Sequence, residues 1–269
     1  MPHTVRTEVF IDPRWQCWNC LVLIATCFHG CGAEPVGQTE IAAIATAAEQ
    51  QADPAHGAEV SILFVGNSHT RNHAIPKLVS RMIKFHNPEK SVHTSLIGVG
   101  WLEQTTTDPT ARKELFSRDW DFLILQGQKI SVSGKFEYSR EAGIELAQLA
   151  RSRGTRVLYF SEWGLKDVPG DGQRNENIYR EMAEETGANV IPIGRAWDIA
   201  LNANRNLPLY DADGNHQSAM GAYLTAATIS GLITGENLMA LTGFKYSELK
   251  STDQKILLEA ASNALNEKK

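Results

Sequence analysis

Five short apolar runs, separated by stretches of helical spacing, constrain this chain more than any other feature. The runs are Val60–Val65, Ser91–Ile97, Phe122–Leu125, Arg156–Phe160 and Asn189–Ile193. Most are near-continuous hydrophobic segments rich in β-branched residues, the pattern of strands buried on both faces. Helical patterns occupy Pro76–Phe85, Ala111–Phe116, Ser139–Arg153 and Gln173–Thr186, and continue past the fifth run in Arg195–Asn202, Ser218–Leu232 and Thr252–Leu265. Pro76 suits a first helical turn, and Gly154 and Gly187 stand where helices end. A chain that alternates in this way is expected to form an α/β fold, a parallel sheet with helices on both faces. Sites in such sheets lie outside the carboxyl ends of the strands. The residues following successive strands are Ser68, then Gly98 and Gly100, then Gln126 and Gln128, then Glu162 and Trp163, so all are expected along one edge.

With 269 residues and 42% hydrophobic content, the chain suits one domain of roughly 200–230 residues plus a terminal extension. A core of that size needs no disulfide or metal staple. The net charge is −5, and no basic stripe with interleaved aromatics occurs, which argues against nucleic acid as a partner. All four cysteines, Cys17, Cys20, Cys27 and Cys31, fall near the N-terminus. Cys17 and Cys20 form a C-x-x-C, a pattern that suggests metal or redox chemistry, but no second pair follows at zinc spacing. The other reading is a leader over residues 1–32. Arg6 and Arg14 precede a short apolar run at Trp18–Phe28, and the small residues Gly30, Gly32 and Ala33 follow. That is the layout of an export signal, too short to span a bilayer. Phe28-His29-Gly30-Cys31 is similar to a degraded lipobox, with Cys31 as the residue for lipid attachment to a membrane. Residues 33–58, rich in Ala, Gln, Glu, Pro and Thr, read as a linker, and the remaining domain spans 59–269. Periplasm or cell envelope is the location expected.

The chemistry-bearing residues lie on the predicted edge. The run ending at Val65 stops at Gly66-Asn67-Ser68, which places a hydroxyl at the mouth of a strand. A serine hydroxyl needs a positioned base to act as a nucleophile. Far downstream stands Asp213-Gly214-Asn215-His216, at the start of a helical stretch. A tight turn at Gly214-Asn215 lets the Asp213 carboxylate reach Nδ1–H of His216 and leaves Nε2 for the serine. Donors for an oxyanion are expected from the Ser68 N–H, the Gly100 N–H and a side-chain amide of Gln126 or Gln128. Asn67 is a donor near the oxyanion or a turn-holding residue. Trp101 and Trp163 are candidates for stacking on substrate, with packing against the sheet rim as the alternative. His69 and His73, four apart, share a helix face only if the helix begins before Pro76, so no metal site is expected. No phosphate-binding glycine pattern occurs, and the chemistry requires no cofactor.

Together, these residues resemble the SGNH (GDSL-like) hydrolase superfamily over about residues 59–235. Gly66-Asn67-Ser68 is similar to the first block, with Asn in place of the usual Asp. Gly100 (or Gly98) matches the second, and Asp213-Gly214-Asn215-His216 the final D-x-x-H. The third block departs: Gln126-Gly127-Gln128 stands where Gly-x-Asn-Asp is usual. It is similar to the glutamine-bearing version in sialate and acetylxylan esterase branches, where glutamine fills the asparagine role, and more loosely to an exported bacterial branch. The glutamine likeness implies Gln126 as the better oxyanion donor and Gln128 as the second choice. The resemblance implies a three-layer α/β/α sandwich around five parallel strands, flavodoxin-like. It implies a serine esterase with Ser68, His216 and Asp213 as its triad, acting on a small-molecule or carbohydrate ester. An O-acetylated carbohydrate is the first substrate expected, and a short-chain lipid or aryl ester the next. A non-catalytic, glycan-binding envelope protein on the same fold is the reading from another class.

Overall fold

The computed structural model describes residues 60–247 and 249–267. The leader, the linker and all four cysteines lie outside the described residues. Five strands form one parallel sheet: β1 (Val60–Gly66), β2 (Val92–Gly98), β3 (Phe122–Leu125), β4 (Arg156–Phe160) and β5 (Asn189–Ile191). Their spatial order is β2-β1-β3-β4-β5, so the chain reverses direction across the sheet beside β1. In a doubly wound sheet that reversal opens the crevice in which ligands sit. The register aligns the carboxyl ends: Gly66 lies opposite Gly98, Val65 opposite Leu125, and Leu125 opposite Tyr159.

Strand side chains alternate between two cores. Ile62, Phe64, Ile124, Leu158 and Phe160 face the layer of α2 (Ile75–His86), α7 (Ile193–Ala203), α8 (Ala219–Thr234) and α9 (Ser251–Asn266). Leu63, Val65, Leu123, Leu125 and Tyr159 face α3 (Leu102–Thr107), α4 (Pro109–Leu115), α5 (Glu141–Ser152) and α6 (Asp171–Thr186). The result is the three-layer α/β/α sandwich. Helix α8 is buried along nearly its whole length, as an almost wholly apolar helix must be. Gly221 lets it approach its neighbours: a Cβ there would lie 2.3 Å from the Leu209 carbonyl oxygen and 2.6 Å from the Trp197 ring.

Each expected strand and helix is present, with adjusted ends. The fifth strand stops at Ile191 rather than Ile193, because Pro192 has no N–H for the ladder and Ile193 opens α7. Further short elements come in addition, among them α1 (Ser68–Arg71), α3, and a 3-10 segment at Leu238–Gly243. These three span four to six residues, too few for a periodic signal.

One ionic cluster ties three helices together. Glu176 of α6 is fully buried and pairs with Arg195 of α7 and Arg180 one turn on. Arg195 reaches on to the Glu267 carboxylate just past α9. Burial pushes the Glu176 pKa up, but the two guanidinium groups outweigh it and hold it below the usual carboxylate range.

Candidate active site

Strand β1 ends at Gly66, and the chain turns directly into α1 with Ser68 as its first residue. Asn67 caps this helix, its Oδ1 accepting the His69 N–H at 2.9 Å. The corner is tight: a Cβ on Gly66 would fall 2.4 Å from Thr70 Oγ1 and 2.6 Å from Gln126 Oε1. Gln126, buried at the end of β3, accepts the Asn67 N–H at 2.8 Å and the Thr70 hydroxyl at 2.9 Å. Its amide nitrogen donates to the buried carboxylate of Glu162, which follows β4. Gln126 and Glu162 therefore brace the Ser68 corner from two neighbouring strands.

The second half of the site comes from the loop before α8. Gly214 takes the left-handed conformation, φ +67°, which its missing Cβ permits. Asp213 Oδ1 accepts the N–H groups of Asn215 and His216, each at 2.9 Å. Its other oxygen meets His216 Nδ1 at 2.5 Å, and His216 Nε2 lies 2.7 Å from Ser68 Oγ. The hydrogen bond from His216, with the two backbone N–H groups, drives the Asp213 pKa well below the usual carboxylate range. His216 does not open the helix itself. Ser218 caps α8, its Oγ accepting from Met220 and Gly221, so the imidazole precedes the helix end.

Two further contacts hold the halves together across 148 residues of sequence. The fully buried Gln217 donates to the carbonyl oxygens of His69, at 2.9 Å, and Asn72, at 3.2 Å. The His69 ring stacks on His216 with centroids 5.0 Å apart and planes 20° from parallel. Neither contact is readable from sequence, where Gln217 is one polar residue among several in a turn.

The remaining expected residues sit differently from one another. Gly100 donates its N–H to Gln104 Oε1 at 2.6 Å, and Trp101 donates to the same oxygen at 3.0 Å. The Gly100 N–H, expected to face an oxyanion, is thus capped by a side chain from α3. Gln126 faces inward, with both ends of its amide engaged. Gln128 donates to the Ile130 carbonyl at 2.8 Å. Trp101 is 40% exposed, with its ring 4.5 Å from Tyr138. Trp163 is buried, stacks on Trp197 at 4.3 Å, and donates its indole N–H to the Asn215 carbonyl. It braces the His216 loop from beneath. A cleft of about 650 Å³ opens at Gly98–Gly100 and runs past Gln104, Asp108 and Glu114. Among the described residues, no three His, Cys, Asp or Glu side chains group to hold a metal ion, and no helix is long and apolar enough to cross a membrane.

No family model matches the sequence. No curated protein matches it significantly. Solved structures do match. A DUF4886 family protein from Bacteroides uniformis superposes with a TM-score of 0.59 at 18% identity, covering 77% of this chain and 94% of that one. A protein from Slackia heliotrinireducens assigned to the SGNH hydrolases gives 0.50 at 18% identity, covering 65% of this chain and 98% of its own. A protein from Parabacteroides merdae described as a GDSL-like lipase gives 0.50 at 16%, with 66% and 96% covered. The shared architecture and the five-stranded parallel sheet together show that this chain has the SGNH (GDSL-like) hydrolase fold.

Proposed function

We propose that this protein is a serine esterase. One observation carries the reading: an unbroken line of hydrogen bonds runs from Ser68 Oγ through His216 to Asp213, assembled from two distant segments. Ser68 Oγ attacks the acyl carbon of an ester while His216 Nε2 takes its proton. Asp213 holds the imidazole by Nδ1–H and stabilises the imidazolium that forms. The Ser68 N–H, first in α1, is a donor for the tetrahedral oxyanion. The Gly100 N–H is bonded to Gln104 Oε1 and becomes a second donor only if that side chain withdraws. Collapse of the intermediate expels the alcohol, which takes the proton from Nε2. Water, activated by the same imidazole, then releases the acid.

Asp213→Asn is expected to keep the fold and lower kcat by about 10³–10⁴-fold, since the amide favours the wrong tautomer of His216. Steady-state hydrolysis of p-nitrophenyl acetate measures it, and a change below tenfold would remove Asp213 from the triad.

The substrate we favour is an O-acetylated carbohydrate. The exposed Trp101 ring, next to Gly100, supports it, since an aromatic face suits a sugar ring. An exported location at the envelope, argued from residues 1–32, agrees with such a substrate. Acetate release from acetylated xylan, compared with hydrolysis of p-nitrophenyl butyrate, tests the choice. Higher kcat/KM on the acetylated glycan is expected, and preference for the butyrate would move the assignment to a short-chain lipase or aryl esterase. The capped Gly100 N–H favours one other reading, a glycan-binding protein without turnover. Failure of a fluorophosphonate probe to label Ser68 in the folded protein, with glycan binding retained, would establish it.

A further inference from the structure

Beside His69 lies a second, much smaller cavity, of about 20 Å³, whose walls include Gln128, Glu162, Asp171, Asn175 and Asn215. That volume holds about one water-sized group. Its polar groups are unbalanced. Asn175 is 4% exposed and donates its amide nitrogen to the Trp163 carbonyl at 3.4 Å, while its Oδ1 has no partner. An unpartnered buried amide oxygen is destabilising unless something donates to it. Gln128 likewise has its amide nitrogen on a backbone carbonyl. Glu162 accepts from Gln126 through Oε1, and Asp171 accepts the Leu165 N–H through Oδ2 at 3.0 Å, so each carboxylate has a second oxygen. No lysine or arginine lines the cavity. The neighbouring Lys129 turns its ammonium to the Ser139 carbonyl at 2.7 Å. The Ser131 hydroxyl, also in the wall, pairs with Ser133 at 3.1 Å, so the unpartnered group that meets a newcomer is the Asn175 Oδ1 acceptor, which calls for a donor.

Its place relative to the triad identifies which part of a substrate reaches it. His69 stacks on His216, and Asn215 adjoins His216 in the chain. His216 must protonate the departing alcohol, so the alcohol half of an ester lies on the imidazole side of the site. We infer that this cavity is a subsite for one hydroxyl of the substrate's alcohol moiety, with Asn175 Oδ1 as the principal acceptor. The inference rests on the esterase reading and narrows it to esters of hydroxylated alcohols. In free protein, a water occupying the cavity would make the same hydrogen bonds, and the substrate hydroxyl replaces it.

The test pairs 2-hydroxyethyl acetate with propyl acetate, which carries a methyl where the other has a hydroxyl. A site built to hydrogen-bond a hydroxyl discriminates strongly against the analogue lacking it. Wild type is expected to prefer the hydroxylated ester by at least about tenfold in kcat/KM, and Asn175→Leu to abolish the preference. Gln128→Met, on the loop after β3, serves as a second variant should Asn175→Leu fail to fold, and is expected to weaken the preference. A readout independent of turnover is the indole N–H resonance of Trp163, which shares the cavity wall: glycerol shifts it in wild type, while propanol does not. Equal rates on the two esters, or a preference unchanged in both variants, would reduce the cavity to an ordinary water site and overturn the subsite. A glycerol shift without any ester hydrolysis would sustain the subsite and sink the esterase reading instead.

Discussion

On the proposed serine mechanism, Ser68→Ala is expected to lower ester turnover to the level left by binding and oxyanion contacts alone, a fall in kcat of about 10⁶-fold with KM little changed. The reason lies in geometry. The hydroxyl is 2.7 Å from His216 Nε2 and is the one group placed both to attack and to pass its proton to that nitrogen. No neighbouring side chain substitutes: Asn67 is committed to capping α1, and Thr70 donates its hydroxyl to Gln126. The loss should therefore be chemical rather than structural. The variant's thermal midpoint should stay within a few degrees of wild type, since a half-buried hydroxyl is exchanged for a hydrogen on a corner braced from elsewhere. Burst kinetics with p-nitrophenyl acetate and mass spectrometry after fluorophosphonate treatment read the effect. Equal rates in wild type and Ser68→Ala would remove the serine mechanism altogether.

Glu176→Ala gives the largest expected loss of stability, about 3–5 kcal/mol. It leaves the Arg195 guanidinium, 9% exposed, without its principal carboxylate and with only Glu267 and backbone carbonyls in reach. Glu176→Gln keeps the shape and some hydrogen bonding and should fall between wild type and alanine. Urea unfolding midpoints measure the series, and a shift equivalent to less than about 1 kcal/mol for alanine would show that the pair is a bystander. The pH dependence has a definite sign. The folded-state pKa of Glu176 is lowered, so its contribution is complete above the unfolded carboxylate range and is lost as pH falls through the lowered value. The difference between wild type and Glu176→Gln should therefore shrink on acidification.

Much of this architecture was legible in sequence because burial on both faces of a parallel strand leaves an unbroken apolar run. Val60–Val65 and Phe122–Leu125 need no partner to announce themselves. The same logic placed Ser68 at a strand mouth and His216 three residues from Asp213, since both are statements about local chain geometry. The order and chemistry of these motifs determined the fold class and the candidate triad. What sequence left open was decided by contacts between remote segments. Local geometry does not separate Gln126 from Gln128, although the family resemblance puts Gln126 first as an oxyanion donor. Glu162, 36 residues away and just past the next strand, turns Gln126 into a brace and withdraws it from the pocket. The Gly100 N–H is capped because α3 folds Gln104 back onto it. Trp163 is buried beneath the His216 loop because Trp197 stacks on it. Periodicity reports which face of an element is buried; which hydrogen-bond donor remains free depends on partners that only the closed tertiary structure brings within 3 Å.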